Sequence, residues 1–240
     1  MKHTAAAIVI SAALALCLSH HAARAITPGQ VDDFEDGTLR NWANGGGAPA
    51  PVNITTGGPA GANDNYLRIT SLGGFGGFGD AGSRLTIFNR SQWLGNYIAA
   101  GVNAIEVDLL NLGATNLSIR LAFLGALPSF SGAPAYLTAA AVLPASSGWM
   151  HFTFSLGPGN LVAIGGPAAP NTFFSSGIAE VRFINEAGAT NIRGDPVAAQ
   201  LGIDNIRAVP EPSATSFVAL GVLFVAIEAA RRRVARQSAG

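Results

Sequence analysis

Cysteine is all but missing. The 240-residue chain has one, Cys17, set inside an apolar stretch near the N-terminus. A disulfide framework and a cysteine-based zinc site are thereby excluded. Lysine is as scarce, with none after Lys2. Across the whole chain Lys+Arg 14 balance Asp+Glu 14. No excess of cations exists to neutralise phosphates, so a basic nucleic-acid binder is excluded as well. Histidine is the third shortage: His3, His20 and His21 sit at the N-terminus and His151 stands alone in the remainder. A metal site needing two histidines cannot be built within one copy of that remainder. His151 could serve a Ser-His-Asp triad, but no nucleophile-elbow sequence accompanies it. Charged residues make up 12% and hydrophobic ones 49%, which excludes a disordered acidic chain. With Gly 30 and Pro 13, the chain is loop-rich without being low in complexity.

The two ends read as addresses. Met1-Lys2-His3, an apolar stretch from Ala5 to Leu18, and Ala23-Arg24-Ala25 follow one another. A cationic start, a hydrophobic region and an A-x-A cleavage site make a secretory signal peptide. The stretch is shorter than the roughly 17–25 residues that span a bilayer. Signal peptidase is therefore expected to cut after Ala25, making 1–25 the leader and leaving an exported chain without cysteine. At the other end Val209-Pro210-Glu211-Pro212-Ser213 precedes an apolar run from Ala214 to Ala230, then Arg231, Arg232, Arg233 and Arg236. The prolines are expected to break any approaching element and leave an accessible segment. The apolar run suffices for a short transmembrane helix, and the arginines favour a cytoplasmic tail with the rest of the chain outside. Glu228 is three and four residues from Arg231 and Arg232, within pairing reach on a helix. An ordinary single-pass anchor, or a helix packed on the domain, would share that apolar run.

The order Pro-Glu-Pro, short apolar helix and arginine cluster, over residues 209–236, resembles the PEP-CTERM sorting signal of Gram-negative exopolysaccharide-producing bacteria. The resemblance implies an exosortase as partner, a membrane transpeptidase-like enzyme that recognises Val209, Pro210, Glu211 and Pro212. It implies that Arg231, Arg232 and Arg233 anchor the tail of an inner-membrane precursor. The processed protein is then expected at the cell surface or in the extracellular matrix.

Residues 26–208 hold 8 Arg, no Lys and 12 Asp+Glu, a net charge of −4. They are enough for one domain with its own core. Strand-like runs fall at 30–34, 52–56, 66–71, 84–88, 104–110, 116–124, 136–143, 149–156, 179–185 and 201–207. Ile105, Val107 and Leu109 alternate with Glu106 and Asp108; Leu117, Ile119, Leu121 and Phe123 alternate with Ser118 and Arg120. Period-two patterning of this kind marks half-buried strands. Helical signals are weak, with a turn expected around 91–99 and another near 172–176. The fold expected is all-β, a two-sheet antiparallel sandwich with long connections at 45–51, 73–82 and 157–170.

Asp33-Phe34-Glu35-Asp36-Gly37-Thr38-Leu39 with Trp42, Asp64-Asn65-Tyr66-Leu67, Gln92-Trp93-x-Gly95-Asn96-Tyr97 and Ile203-Asp204-Asn205-Ile206 resemble the jelly-roll domains of PEP-CTERM proteins. Those domains are related to carbohydrate-binding modules. An EF-hand loop starting at Asp32 fails, because Phe34 holds a ligand position and Ala43 stands where the bidentate Glu belongs. The resemblance instead implies a structural Ca²⁺ joining the first strand to the last, with Glu35 and Asp204 as ligands and Asp33 as a third. An exposed acidic turn is the alternative. No other cofactor is expected.

Three further motifs carry less. Gly74-Phe75-Gly76-Gly77-Phe78-Gly79 spells G-x-G-x-x-G, but a strand rather than a helix is expected after it, which a dinucleotide site cannot use. Glu106 and Asp108 share a strand face, as in the E-x-D-x-(x)-E motif of jelly-roll glucanases. Leu110 and Asn111 stand where the second glutamate belongs, so a glycosidase would lack one of its two carboxyl groups. Trp42, Trp93, Trp149, Tyr66, Tyr97 and Tyr136 could stack on sugars or simply fill the core, and the sequence names none of them as a carbohydrate contact. The expectation is an exported, noncatalytic surface or matrix protein whose domain binds exopolysaccharide. A purely structural envelope protein is the alternative, and a glycoside hydrolase using Glu106 and Asp108 a more distant one.

Overall fold

The computed structural model describes residues 25–45, 47–74, 82–125 and 133–210. The expected leader up to residue 24 and the tail from residue 211, with Glu211, Pro212, Arg231, Arg232 and Arg233, lie outside these residues. So does most of the glycine-rich segment after Gly74. No helix among the described residues is long and apolar enough to cross a membrane.

The described residues form strands β1 (Val31–Asp32), β2 (Trp42–Ala43), β3 (Val52–Ile54), β4 (Tyr66–Leu72), β5 (Thr86–Asn89), β6 (Val102–Asn111) and β7 (Leu117–Leu124). There follow β8 (Ala135–Thr138), β9 (Ala141–Leu143), β10 (Met150–Ser155), β11 (Leu161–Ile164), helix α1 (Pro170–Ser176), β12 (Glu180–Asn185) and β13 (Ala198–Pro210). They make two sheets. One runs β10-β6-β13-β4-β3, with β1 also on β13; the other runs β11-β8-β7-β12-β5-β2, with β9 also on β7. All of these pairings are antiparallel. The molecule is an all-β sandwich.

Alternation determines which way each strand faces. In β6 the buried Ile105, Val107 and Leu109 meet the core while Glu106 and Asp108 point out. Facing them from β12 and β7 are Val181, Phe183, Leu117, Ile119, Leu121 and Phe123. Removing each such side chain from water contributes about 1.5–3 kcal/mol. In β7 the alternation ends at Leu121, and Ala122 and Leu124 are buried too. A second apolar cluster explains this: Ala122, Leu124, Leu137 and Ile184 on the outer face of that sheet are covered by Ile192 and Ile164.

Most expected strands are present, with local differences. The run 136–143 is two strands, because β8 pairs with Ala122–Leu124 and β9 with Leu117–Ile119. In the gap Thr138 replaces the ladder: its Oγ1 accepts the Leu121 N–H at 3.0 Å and its carbonyl accepts Arg120 Nη1 at 2.7 Å. The expected connection at 157–170 contains β11, a strand too short to stand out by pattern. The expected turn at 91–99 is irregular and tied by bridges from Ala25 to Leu94 and from Gly95 to Ile178. The turn near 172–176 is α1, which buries Phe173 and Phe174. Finally, β13 runs on to Pro210, two residues past the expected domain end: Val209 pairs with Ala104 and Pro210 with Val102. The prolines therefore do not stop this strand short of Val209. Pro lacks only the N–H, and a strand's last position tolerates that.

Leu109→Ala should cost about 2–5 kcal/mol of unfolding free energy by urea titration, since Leu109 is 0% exposed. Val142→Ala, at 59% exposure, should stay within about 0.5 kcal/mol.

Candidate functional site

The outer face of the β10-β6-β13-β4-β3 sheet gathers most of the polar residues singled out above. Register places His151 opposite Asp108, and Asp108 opposite Asp204, in one row across three strands. The next row is Thr153, Glu106 and Arg207. A third is Leu110, Gly202, Arg68 and Val52. Because period two sends the core residues inward, the same alternation that builds the sandwich delivers these side chains outward.

Asp108 is the hub. Its Oδ1 lies 2.8 Å from His151 Nδ1, and its Oδ2 accepts Asn205 Nδ2 at 2.9 Å. His151 is 58% exposed, the surface position its strand phase implies. Asn205 takes a left-handed φ of 51° where the β13 register shifts between Asp204 and Arg207. That bulge aims its amide at Asp108 and its N–H at Asp204 Oδ1, 2.7 Å away.

Trp149 lies beside this network. Its indole N–H donates to the Gly57 carbonyl at 2.9 Å, and its ring meets Tyr66 edge-on at 5.3 Å between centroids. Gly202 makes the room: a Cβ there would lie 3.0 Å from the Trp149 ring, 3.1 Å from Leu110 and 3.2 Å from Tyr66. Of the six rings raised as sugar contacts, Trp42, Trp93, Tyr97, Tyr66 and Tyr136 are buried. Trp149 alone is half-buried.

The expected calcium ligands divide. Asp204, 1% exposed, has its carboxyl pushed up to about 8, first by burial and then by the negative charges of Asp64, Asp108 and Glu35. Glu35 therefore does lie within electrostatic reach of Asp204, and Asp64 and Asp108 join it. Asp33 does not take part: its Oδ1 is 3.3 Å from Arg40 Nη2 and also accepts the Glu35 N–H. A desolvated carboxyl amid excess negative charge, with oxygen donors only, is chemistry that fits a hard divalent cation. No group of three or more His, Cys, Asp or Glu within metal-holding reach occurs among the described residues. A cation between Glu35 and Asp204 would complete its shell from backbone carbonyls and water.

Of the candidate glucanase carboxylates, Asp108 is engaged by the side chains of His151 and Asn205. Both oxygens of Asp108 accept hydrogen bonds, and Glu106 sits in register with Arg207. Sequence reasoning missed Asn205 and Gly202 as parts of this face. The motif Asp204-Asn205 was visible; the left-handed bulge that turns the amide was not.

Comparisons with known proteins bear on this geometry. No family model matches the chain, and no curated protein matches it. Solved structures do. An exo-beta-agarase superposes with a TM-score of 0.51 at 14% identity, covering 78% of this chain and 26% of that one. The chain thus spans about a quarter of the agarase. The solution structure of CtCBM11 gives a TM-score of 0.50 at 14% identity, covering 78% of this chain and 98% of the module. The family 11 carbohydrate-binding module from Clostridium thermocellum, in complex with a beta-1,3-1,4-mixed-linked tetrasaccharide, gives 0.45 at 15% identity over 77% of this chain and 96% of that one. The likeness is one of fold.

The raised Asp204 sets a pH dependence. The folded state keeps a proton that the unfolded chain, near 3.8, releases. Without added cation, stability is therefore greatest at and below about pH 4 for this group, falls as pH rises, and levels off above about 8. Urea titrations at pH 5, 7 and 9 should show this decline, and Asp204→Asn should flatten it. Added Ca²⁺ at pH 9 should raise Tm in the native chain and leave Asp204→Asn unmoved.

Proposed function

We propose that this protein is an exported, noncatalytic sandwich module that holds neutral polysaccharide on its β10-β6-β13-β4-β3 face, delivered by its signal peptide and sorted through its PEP-CTERM tail. The observation that carries the binding half is Trp149. It is the half-buried aromatic ring on an open polar sheet face, beside hydrogen-bonding groups of both kinds in Asp108, His151 and Asn205. A flat ring bordered by such groups suits the apolar and hydroxylated surfaces of a pyranose. The fold shared with a carbohydrate-binding module over 98% of that module's length supports the same reading. Calcium between Glu35 and Asp204 would brace the first turn against the last strand.

The noncatalytic half rests on the engaged state of Asp108 and on the missing second glutamate of the strand motif. The sorting half rests on the tripartite tail alone. A purely structural envelope protein is the second reading, favoured by the burial of five of the six Trp and Tyr rings raised as sugar contacts.

Purified residues 26–210, which keep β13 whole, should co-sediment with the producing organism's own exopolysaccharide. Trp149→Ala should weaken that binding about tenfold, the equivalent of roughly 1.4 kcal/mol, with Tm checked in parallel. No sedimentation in calcium or in chelator would favour the structural reading. For the tail, Pro210→Ala combined with Glu211→Ala should leave the chain membrane-retained and uncut in fractionated cells. Normal release of that double variant would sink the sorting assignment.

A further inference from the structure

A cavity of about 490 Å³ opens away from the sheet face, where the start of the first strand meets two loops. Its floor includes Asp32, a carboxylate only 2% exposed. Trp42 Nε1 at 2.8 Å, Trp93 Nε1 at 2.6 Å and Gln92 Nε2 at 3.0 Å all donate to Asp32 Oδ2. Oδ1 receives no protein donor among the described residues, so a buried carboxylate borders the cavity with one oxygen committed and one free.

Beside Asp32 the wall is mostly polar, with Ala25 and Val31 its apolar members and Arg40 its charged one. Gln30 and Asn41 each donate once to Gln92, through Gln30 Nε2 to its carbonyl and Asn41 Nδ2 to its Oε1. Their amide oxygens stay available, as do the hydroxyls of Thr27 and Ser91. Arg40 also borders the cavity, but its guanidinium is held by Asp33 at 3.3 Å and Asp36 at 3.2 Å. No free side-chain cation of the described lining residues is thus offered to an anion, and Arg40 opposes a second cation. The wall also carries strain. Arg40 and Asn41 take successive left-handed φ values of 47° and 59°, and the Arg40 carbonyl is pinned by Gln92 and Asn89. Consecutive non-glycine residues in that region cost energy and gather where a surface has a task.

We propose that this cavity is a binding site for one neutral pyranose unit, whose hydroxyls donate to Asp32 Oδ1 and to the free oxygens of Gln30 and Asn41. The excess of acceptors over donors selects a ligand rich in O–H groups, and the volume suits a small hydrophilic guest. The site does not depend on the sheet-face reading, because Trp149 is no part of it. It also carries its own reporter: the carboxylate that bounds the cavity holds both indoles.

D-glucose, D-galactose and D-mannose titrated into the full chain in detergent test this, read by tryptophan fluorescence and ligand-observed NMR. A saturable response to at least one hexose is expected, and it should persist in Trp149→Phe. Asn41→Gly combined with Ser91→Ala should weaken it by about tenfold or more, since two wall groups are lost. Glycine accepts the left-handed φ at position 41, so the melting temperature of that variant should hold. No saturable response to any of the three, a response unchanged in the double variant, or tighter binding of D-glucuronate than of D-glucose would overturn the proposal. Loss of polysaccharide sedimentation in Trp149→Ala bears on the sheet face alone, so the two failures separate.

Discussion

One carboxylate ties the two sheets together. Asp32 belongs to β1, on the sheet built around β13, while Trp42 belongs to β2, on the opposite sheet. Both the Trp42 indole and that of Trp93 donate to Asp32 Oδ2 inside the core. Burial pushes the Asp32 carboxyl up, and the three donors and the nearby Arg40 act against that. A buried charge is tolerated only when hydrogen-bonded, and its partners are then fixed in turn. The indoles cannot shift without stripping it of two of its three donors. From this point follow the packing of Trp42 on Phe183 and on Trp93, the path of the 38–42 turn, and the cavity beside it.

The second constraint is β13, central in its sheet and flanked by β6, β4 and β1. Its inward residues Leu201, Ile203, Ile206 and Ala208 are buried. Keeping Ile203 and Ile206 both inside requires one extra residue between them, since three steps along a strand reverse the face. The bulge at Asn205 supplies it, and the same irregularity presents Asp204 and Asn205 to the outer face. Core packing and the polar site are thus two consequences of one register shift. The strand also carries the sandwich directly into Val209 and Pro210, so on the sorting reading the first proline of the tail belongs to the folded domain.

Much of the sandwich was legible because half-buried strands announce themselves by period two, as in β6 and the first half of β7. Legibility failed where that contrast failed. Ala122 and Leu124 are buried on the outer face, under a loop no local pattern reveals. β2 and β11 are too short for alternation to register, and the break between β8 and β9 depends on Thr138 bonding across to β7. At the site, Glu106 and Asp108 were correctly phased to the outer face. Asp33, expected beside Glu35 and Asp204, is instead held by Arg40, a pairing set by the turn that brings residues 36–40 back.

The sequence by itself determined the class of the fold and the inward or outward sense of its regular strands, because burial of apolar side chains imposes a period that reads along the chain. The export and sorting proposal likewise rests on local composition and order at the two ends. Tertiary structure alone decided which of the six Trp and Tyr rings are core and which one is half-buried, which carboxylates share a neighbourhood, and that Asp32 rather than an exposed acidic residue floors a cavity. Those outcomes depend on contacts between residues tens of positions apart, such as Asp32 with Trp93 or Asp108 with Asn205. No local pattern encodes such a distance, since it is set when the two sheets close on each other.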